Sequence, residues 1–99
     1  MVRINWTLQS VSDLKDIAEY ISKDSKKYAK LWVIRISNRT KILKSQIHSG
    51  KIVPEINQQS IRELIEGNYR IIYKIVNDNR IDILTIHHSA RDLTRRKIR

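Results

Sequence analysis

The sequence predicts an α+β domain in the order β-α-α-β-β-β, with a short N-terminal strand, an antiparallel two-helix hairpin, and a small antiparallel sheet on which the hairpin packs. Three observations predict it. In the first half, apolar residues recur at spacings of three and four, the period of one helix face. In the second half, β-favouring runs alternate with short clusters of turn residues. Both glycines and the single proline lie beyond residue 49, where the helical pattern has ended.

Val2 to Trp6 reads as a short opening strand. From Leu8, the positions Leu8, Val11, Leu14, Ile17, Ala18 and Ile21 form one helical stripe, with Thr7 or Ser10 as N-cap. "KDSKK" breaks the pattern. A second helical series follows at Ala29, Trp32, Val33, Ile36, Thr40, Leu43 and Ile47, which leaves Lys30, Arg35, Arg39, Lys41 and Lys44 on the wetter sides. Helices joined by so few residues form an antiparallel hairpin, and their apolar stripes need the sheet that follows.

"HSGKIVPEINQQS" reads as the loop leading out of the second helix. Three strands follow, at about 61–65, 69–76 and 80–87. Gly67 and Asn68 supply positive φ for the first hairpin, and Asn77, Asp78 and Asn79 do so for the second. On the middle strand, Tyr69, Ile71, Tyr73 and Ile75 share one face while Arg70, Ile72, Lys74 and Val76 share the other. Both faces are half apolar, so alternation leaves open which one meets the helices.

With 99 residues the chain is one domain spanning 1–99, with a basic tail at 94–99 that reads as frayed or as a binding arm. No apolar run approaches the roughly 20 residues of a membrane span. The start has no stretch like the roughly 7 to 15 apolar residues of a signal peptide, so a cytoplasmic location is expected. The absence of cysteine excludes disulfides, thiolate zinc sites and a thiol nucleophile. A net charge of +10 favours nucleic acid, a ribosome or an acidic protein over a neutral metabolite as partner.

The stretch from Ile61 to Leu93 carries Arg62, Arg70, Arg91, His87 and His88 where a purely structural sheet would be content with Thr or Val. Arg70 offers phosphate a bidentate fork; in the simpler reading it pairs with a neighbouring carboxylate such as Glu63 or Asp82. A histidine can serve as acid or base, but His87 and His88 are adjacent and adjacent strand residues point to opposite faces, so only one can join a site built on Arg70. No metal-ligand spacing accompanies them. Trp6 and Trp32 could stack bases, but Trp32 lies on the apolar helical stripe, which favours core packing.

These pieces, read in order, resemble the RelE/ParE superfamily of toxins from bacterial type II toxin–antitoxin systems, and more closely its ParE-like branch. The matching pieces are Trp6, "DLKDIAEYI", "GKIVPE", "IRE", "YRIIY" and "IHHSARDL". The resemblance covers nearly the whole chain. It implies a plasmid-stabilising or growth-arresting toxin with no cofactor and no membrane partner. A cognate antitoxin, acidic and partly disordered when free, would neutralise it, and operator DNA would be met only through that antitoxin.

For the target, the resemblance implies a ParE-like inhibitor of DNA gyrase, or alternatively a RelE- or YoeB-like endoribonuclease acting on messenger RNA at the ribosome. In the YoeB-like set, Glu55 would act as base, Arg70 would stabilise the phosphate charge and His88 would act as acid. Arg62, His87, Arg91, Arg95 and Arg96 would then bind nucleic acid or another target. RelE-like nucleases also use a tyrosine near the C-terminus, and here nothing aromatic follows Tyr73.

Overall fold

The computed structural model describes residues 1–89. Strand β1 (Arg3–Trp6) leads into helices α1 (Leu8–Ser22) and α2 (Lys26–Arg39), and a 3₁₀ turn follows at Thr40–Lys44. Strands β2 (Lys51–Ile52), β3 (Ile61–Glu66), β4 (Tyr69–Asn77) and β5 (Arg80–His88) complete the fold. They form one five-stranded sheet in the order β1-β5-β4-β3-β2. The β-α-α-β-β-β order is the predicted one. The sheet, however, is mixed, because β1 returns to pair in parallel with β5, and a two-residue strand inside the predicted loop extends the far edge. No helix among the described residues is long and apolar enough to cross a membrane.

Local chemistry sets the helix boundaries. Thr7 caps α1 by accepting the Ser10 N–H at 3.2 Å, and Ser25 caps α2 by accepting the Tyr28 N–H at 3.1 Å. The second apolar series runs past the end of α2, because the helix tightens into the 3₁₀ turn after Arg39 and so still delivers Leu43 to the core.

The two-sided middle strand is explained by two separate apolar layers. Ile71 and Tyr73, flanked by Tyr69 and Ile75, face the helices and pack with Ile36, Leu43, Leu14, Ile17 and Trp32. Ile72 on the opposite face packs with Ile61 and Val53, joined by Ile56 and Leu84. Val53 and Ile56 come from the segment after β2, which folds back over the outer face. Each fully buried aliphatic side chain contributes about 1.5–3 kcal/mol, so this segment is anchored by burial as well as by polar contacts.

Two glycines are required by close approach. Gly67 has φ +58°, and a Cβ there would lie 2.4 Å from the Trp32 ring. Its neighbour Asn68 does not share the positive φ expected of it; among the described non-glycine residues only Asn57 does. The second hairpin, unlike the first, has no left-handed residue, and the Asn77 side chain accepts the Asn79 N–H at 2.8 Å. At Gly50 a Cβ would lie 2.7 Å from both the Glu63 carbonyl and the Tyr73 hydroxyl. That buried hydroxyl donates to the Ile47 carbonyl at 2.8 Å and accepts the Gly50 N–H at 3.0 Å, while burial raises the phenol's pKa.

The α1 stripe departs from expectation. Leu8 is 90% exposed and Val11 is exposed too, whereas Ser10 and Asp13 are buried. The cause lies in β1, whose pairing with β5 stops at Trp6↔Ile83. Beyond that point β5 has a bare edge, and α1 runs beside it. Thr7 donates its hydroxyl to the Ile83 carbonyl at 2.7 Å. The Asp13 carboxylate accepts the Ile86 N–H at 3.1 Å, the Thr85 hydroxyl in a short contact, and the Gln9 amide at 2.8 Å. A helix carboxylate thus replaces the missing strand. Asp13→Ala leaves a buried N–H and a buried hydroxyl unsatisfied; an expected loss of about 2–3 kcal/mol can be read from urea unfolding.

Candidate functional site

The outer face of β4 carries Arg70. Strand register places it opposite Ile65 of β3 and His87 of β5. Its guanidinium makes a bidentate fork with Glu55, Nη1 to Oε2 at 2.7 Å and Nη2 to Oε1 at 2.8 Å. It also bonds Glu63, Nε to Oε1 at 2.6 Å and Nη2 to Oε2 at 3.2 Å. Four of the five guanidinium N–H groups are therefore committed to carboxylates. Glu63 lies on the neighbouring strand, and Glu55 arrives from the segment folded over the outer face.

Exposure ranks the three side chains: Glu63 is 2% exposed, Arg70 11% and Glu55 30%. The hydrogen bond from Arg70 lowers the Glu55 carboxyl from its ordinary 4.5 to about 2, and the positive potential of Arg70 and His87 adds to the shift. In return, the bonds to Glu55 and Glu63 raise the Arg70 guanidinium above its ordinary value, so it stays charged. Chemically this is a clamp. A carboxylate titrating near 2 is a poor base at neutral pH, and the guanidinium fork that would meet a phosphate is already filled by a carboxylate of matching geometry.

The two histidines separate as strand alternation requires, but the one beside Arg70 is His87 rather than His88. An extra residue decides this. Tyr73 pairs with Ile83 and Ile72 with Thr85, so Leu84 is a bulge that shifts every later β5 residue by one place. His87 is buried on the outer face. His88 stands opposite Tyr69 on the helix side, edge-on to that ring at 5.4 Å. The expected set of Glu55, Arg70 and His88 is thus not assembled; the structure assembles Glu55, Glu63, Arg70 and His87.

Arg62 is engaged within the chain by neutral oxygens. It donates to the Gly50 carbonyl at 3.0 Å, the Gln59 carbonyl at 3.1 Å and the Gln59 side chain at 3.2 Å, so it staples the segment between β2 and β3. Asp82 is not the partner of Arg70 either, since it accepts from Arg80 at 2.9 Å and Asn5 at 3.1 Å. Trp32 packs as expected. Arg35 lies 4.2 Å over its ring, Tyr69 meets it edge-on at 5.4 Å, and Gly67 backs against it. Arg91, Arg95, Arg96 and the basic tail lie outside the described residues. Among those described, no group of three or more His, Asp or Glu could hold a metal ion.

Sequence reasoning named Glu63 only as a possible neighbour of Arg70, and it gave Asp13 no role beyond its place in a helical motif. A polar residue one position before Leu14, on a helix that must cover a sheet, was the available signal for Asp13.

The two-helix hairpin on a five-stranded mixed sheet is the fold of the small ParE-like proteins. Residues 4–93 match the model of the ParE toxin of the type II toxin–antitoxin system parDE, and the chain belongs to that family. It is 35% identical over 89 residues to the protein named "Putative toxin Y4kP" of Sinorhizobium fredii (strain NBRC 101917 / NGR234), with 88% of each chain covered. Its fold matches a chain of the chromosomal ParDE toxin–antitoxin system from P. aeruginosa, with TM-score 0.72 and 24% identity, covering 89% of this chain and 96% of that one. The protein is therefore the toxin of a ParDE-type pair, a role that implies an antitoxin partner.

Two outcomes test the clamp. Because Glu55 titrates lower folded than unfolded, its contribution is present above the ordinary 4.5 and is lost as pH falls toward about 2. Melting temperatures of the wild type and Glu55→Gln should therefore differ near neutrality and converge at the acid end. Arg70→Ala strands the Glu63 carboxylate without its counter-charge, and a loss of about 3–5 kcal/mol in chemical unfolding is expected. Arg70→Met combined with Glu63→Leu should recover much of it, because replacing a buried pair by apolar groups is close to neutral.

Proposed function

We propose that this toxin arrests growth by binding DNA gyrase and blocking it, not by cleaving RNA, and that a cognate antitoxin with an acidic segment holds it inactive. The observation that carries this reading is the closed clamp on Arg70. Cleavage by attack of a 2′-hydroxyl needs a base, a charge stabiliser facing the scissile phosphate, and an acid for the leaving oxygen. Glu55 is too weak a base, Arg70 is engaged by two carboxylates, and His88 faces the other side of the sheet.

A binding mechanism needs none of these groups free. The +10 charge supports attraction to an acidic protein segment, and to a target that works on DNA. The same charge supports neutralisation by an antitoxin that orders on the toxin surface, with operator DNA reached through that antitoxin. A role in plasmid stabilisation and a cytoplasmic site of action complete the proposal.

Brief expression of the toxin in cells, with transcript 5′ ends mapped by sequencing, tests the target. Intact transcripts alongside arrest are expected, together with loss of supercoiling when purified toxin meets purified gyrase. New 5′ ends clustered inside translated codons, with supercoiling unaffected, would overturn the gyrase reading and restore the nuclease one.

A further inference from the structure

The thirty residues from Ser25 to Pro54 hold eight of the chain's 20 Lys and Arg and none of its 10 Asp and Glu. Helix α2 lies inside this stretch. Ala29 and Ile36 point into the fold and are buried. On the opposite side, Lys27, Lys30, Leu31, Ile34 and Asn38 are exposed and share one helical face, and exposed Lys41 follows in the 3₁₀ turn. Leu31 is 44% exposed and Ile34 48%, at the middle of that face, and exposed Tyr28 and Ile42 lie toward its two ends.

Two of the cations in the stretch bond within the chain, and one of them is neutralised by a carboxylate. Arg35 pairs with Glu66 at 2.7 Å, and Arg39 donates to the Ile65 carbonyl at 3.2 Å. The exposed lysines rim the apolar stripe. A single exposed aliphatic residue needs no explanation, but a stripe of them at helical spacing, framed by one sign of charge, has the form of a docking face.

We infer that the outer face of α2 docks an amphipathic acidic helix of a second protein, with aliphatic residues laid on Leu31 and Ile34 and carboxylates meeting the lysine rim. Charge complementarity selects this occupant. A second copy of the chain would bring two lysine rims together. Nucleic acid would satisfy the lysines but leave the aliphatic side chains without an apolar partner, so their removal would not weaken it. Helical spacing of the stripe matches the anchor pattern of a helix laid along another helix. The inference rests on the proposed antitoxin reading and assigns the acidic segment a place.

Calorimetric titration of the folded toxin with the product of the adjacent reading frame tests it, using the wild type, Leu31→Ser/Ile34→Ser and Lys27→Glu/Lys30→Glu. All four positions are exposed, so circular dichroism should show the fold unchanged. Val11→Ser on α1 serves as an exposed apolar control and should bind as the wild type does. The serine pair should bind about tenfold to a hundredfold more weakly, and the charge reversal should weaken binding most at low salt. Wild-type affinity in both pairs overturns the docking face and leaves the antitoxin reading standing. No binding by the wild type overturns that reading, and this inference with it. Loss in the lysine variant alone, with competition by random duplex DNA, makes the face a nucleic-acid surface and overturns the proposal.

Discussion

The guanidinium of Arg70, gripped by Glu55 from a folded-back segment and by Glu63 from the neighbouring strand, holds the outer half of the molecule together. Without it the sheet would present a buried carboxylate to an apolar layer, and Val53 and Ile56 would lose the polar anchor beside them. Burial alone could not orient that segment, because apolar contact has no direction, whereas a bidentate pair fixes both distance and angle. The same grip determines what the site can do. It keeps one carboxyl strongly acidic and one guanidinium occupied, which suits a rigid surface better than a reaction centre.

The inner half depends on a different device. A parallel strand of four residues cannot cover the full length of β5, and the chain turns into a helix before the edge is closed. Thr7 and Asp13 close it with side-chain oxygens, so the hydrogen-bonding demand of the sheet is met by the helix hairpin itself. Hairpin and sheet are thereby locked in one orientation. That orientation carries α2 across the helix-side face and leaves its lysine-rimmed side directed away from the core.

Clamp and exposed helix face together give a division of labour. The residues that resemble catalytic groups hold the sheet and its covering segment, and α2 presents exposed lysines beside Leu31 and Ile34. On the reading proposed above, charge steers the approach to a partner and a short apolar stripe supplies the lasting contact.

Much of the fold was legible in the chain. Helical spacing located both helices, Thr7 marked the start of the first, and Gly67 and Asn77 marked the two hairpins, because these signals depend on neighbours within a few residues. What depended on distant residues was not legible. Leu8 and Val11 fit an apolar stripe, yet they stay in solvent because the bare edge of a strand more than seventy positions away claims Asp13 instead. Alternation showed that only one histidine could join Arg70, but an added residue at Leu84 makes it His87. The sequence by itself determined the element order, the turns and the charge. Only the tertiary structure could decide the face, the register and the ion pairs, since each follows from which distant residues are brought within reach.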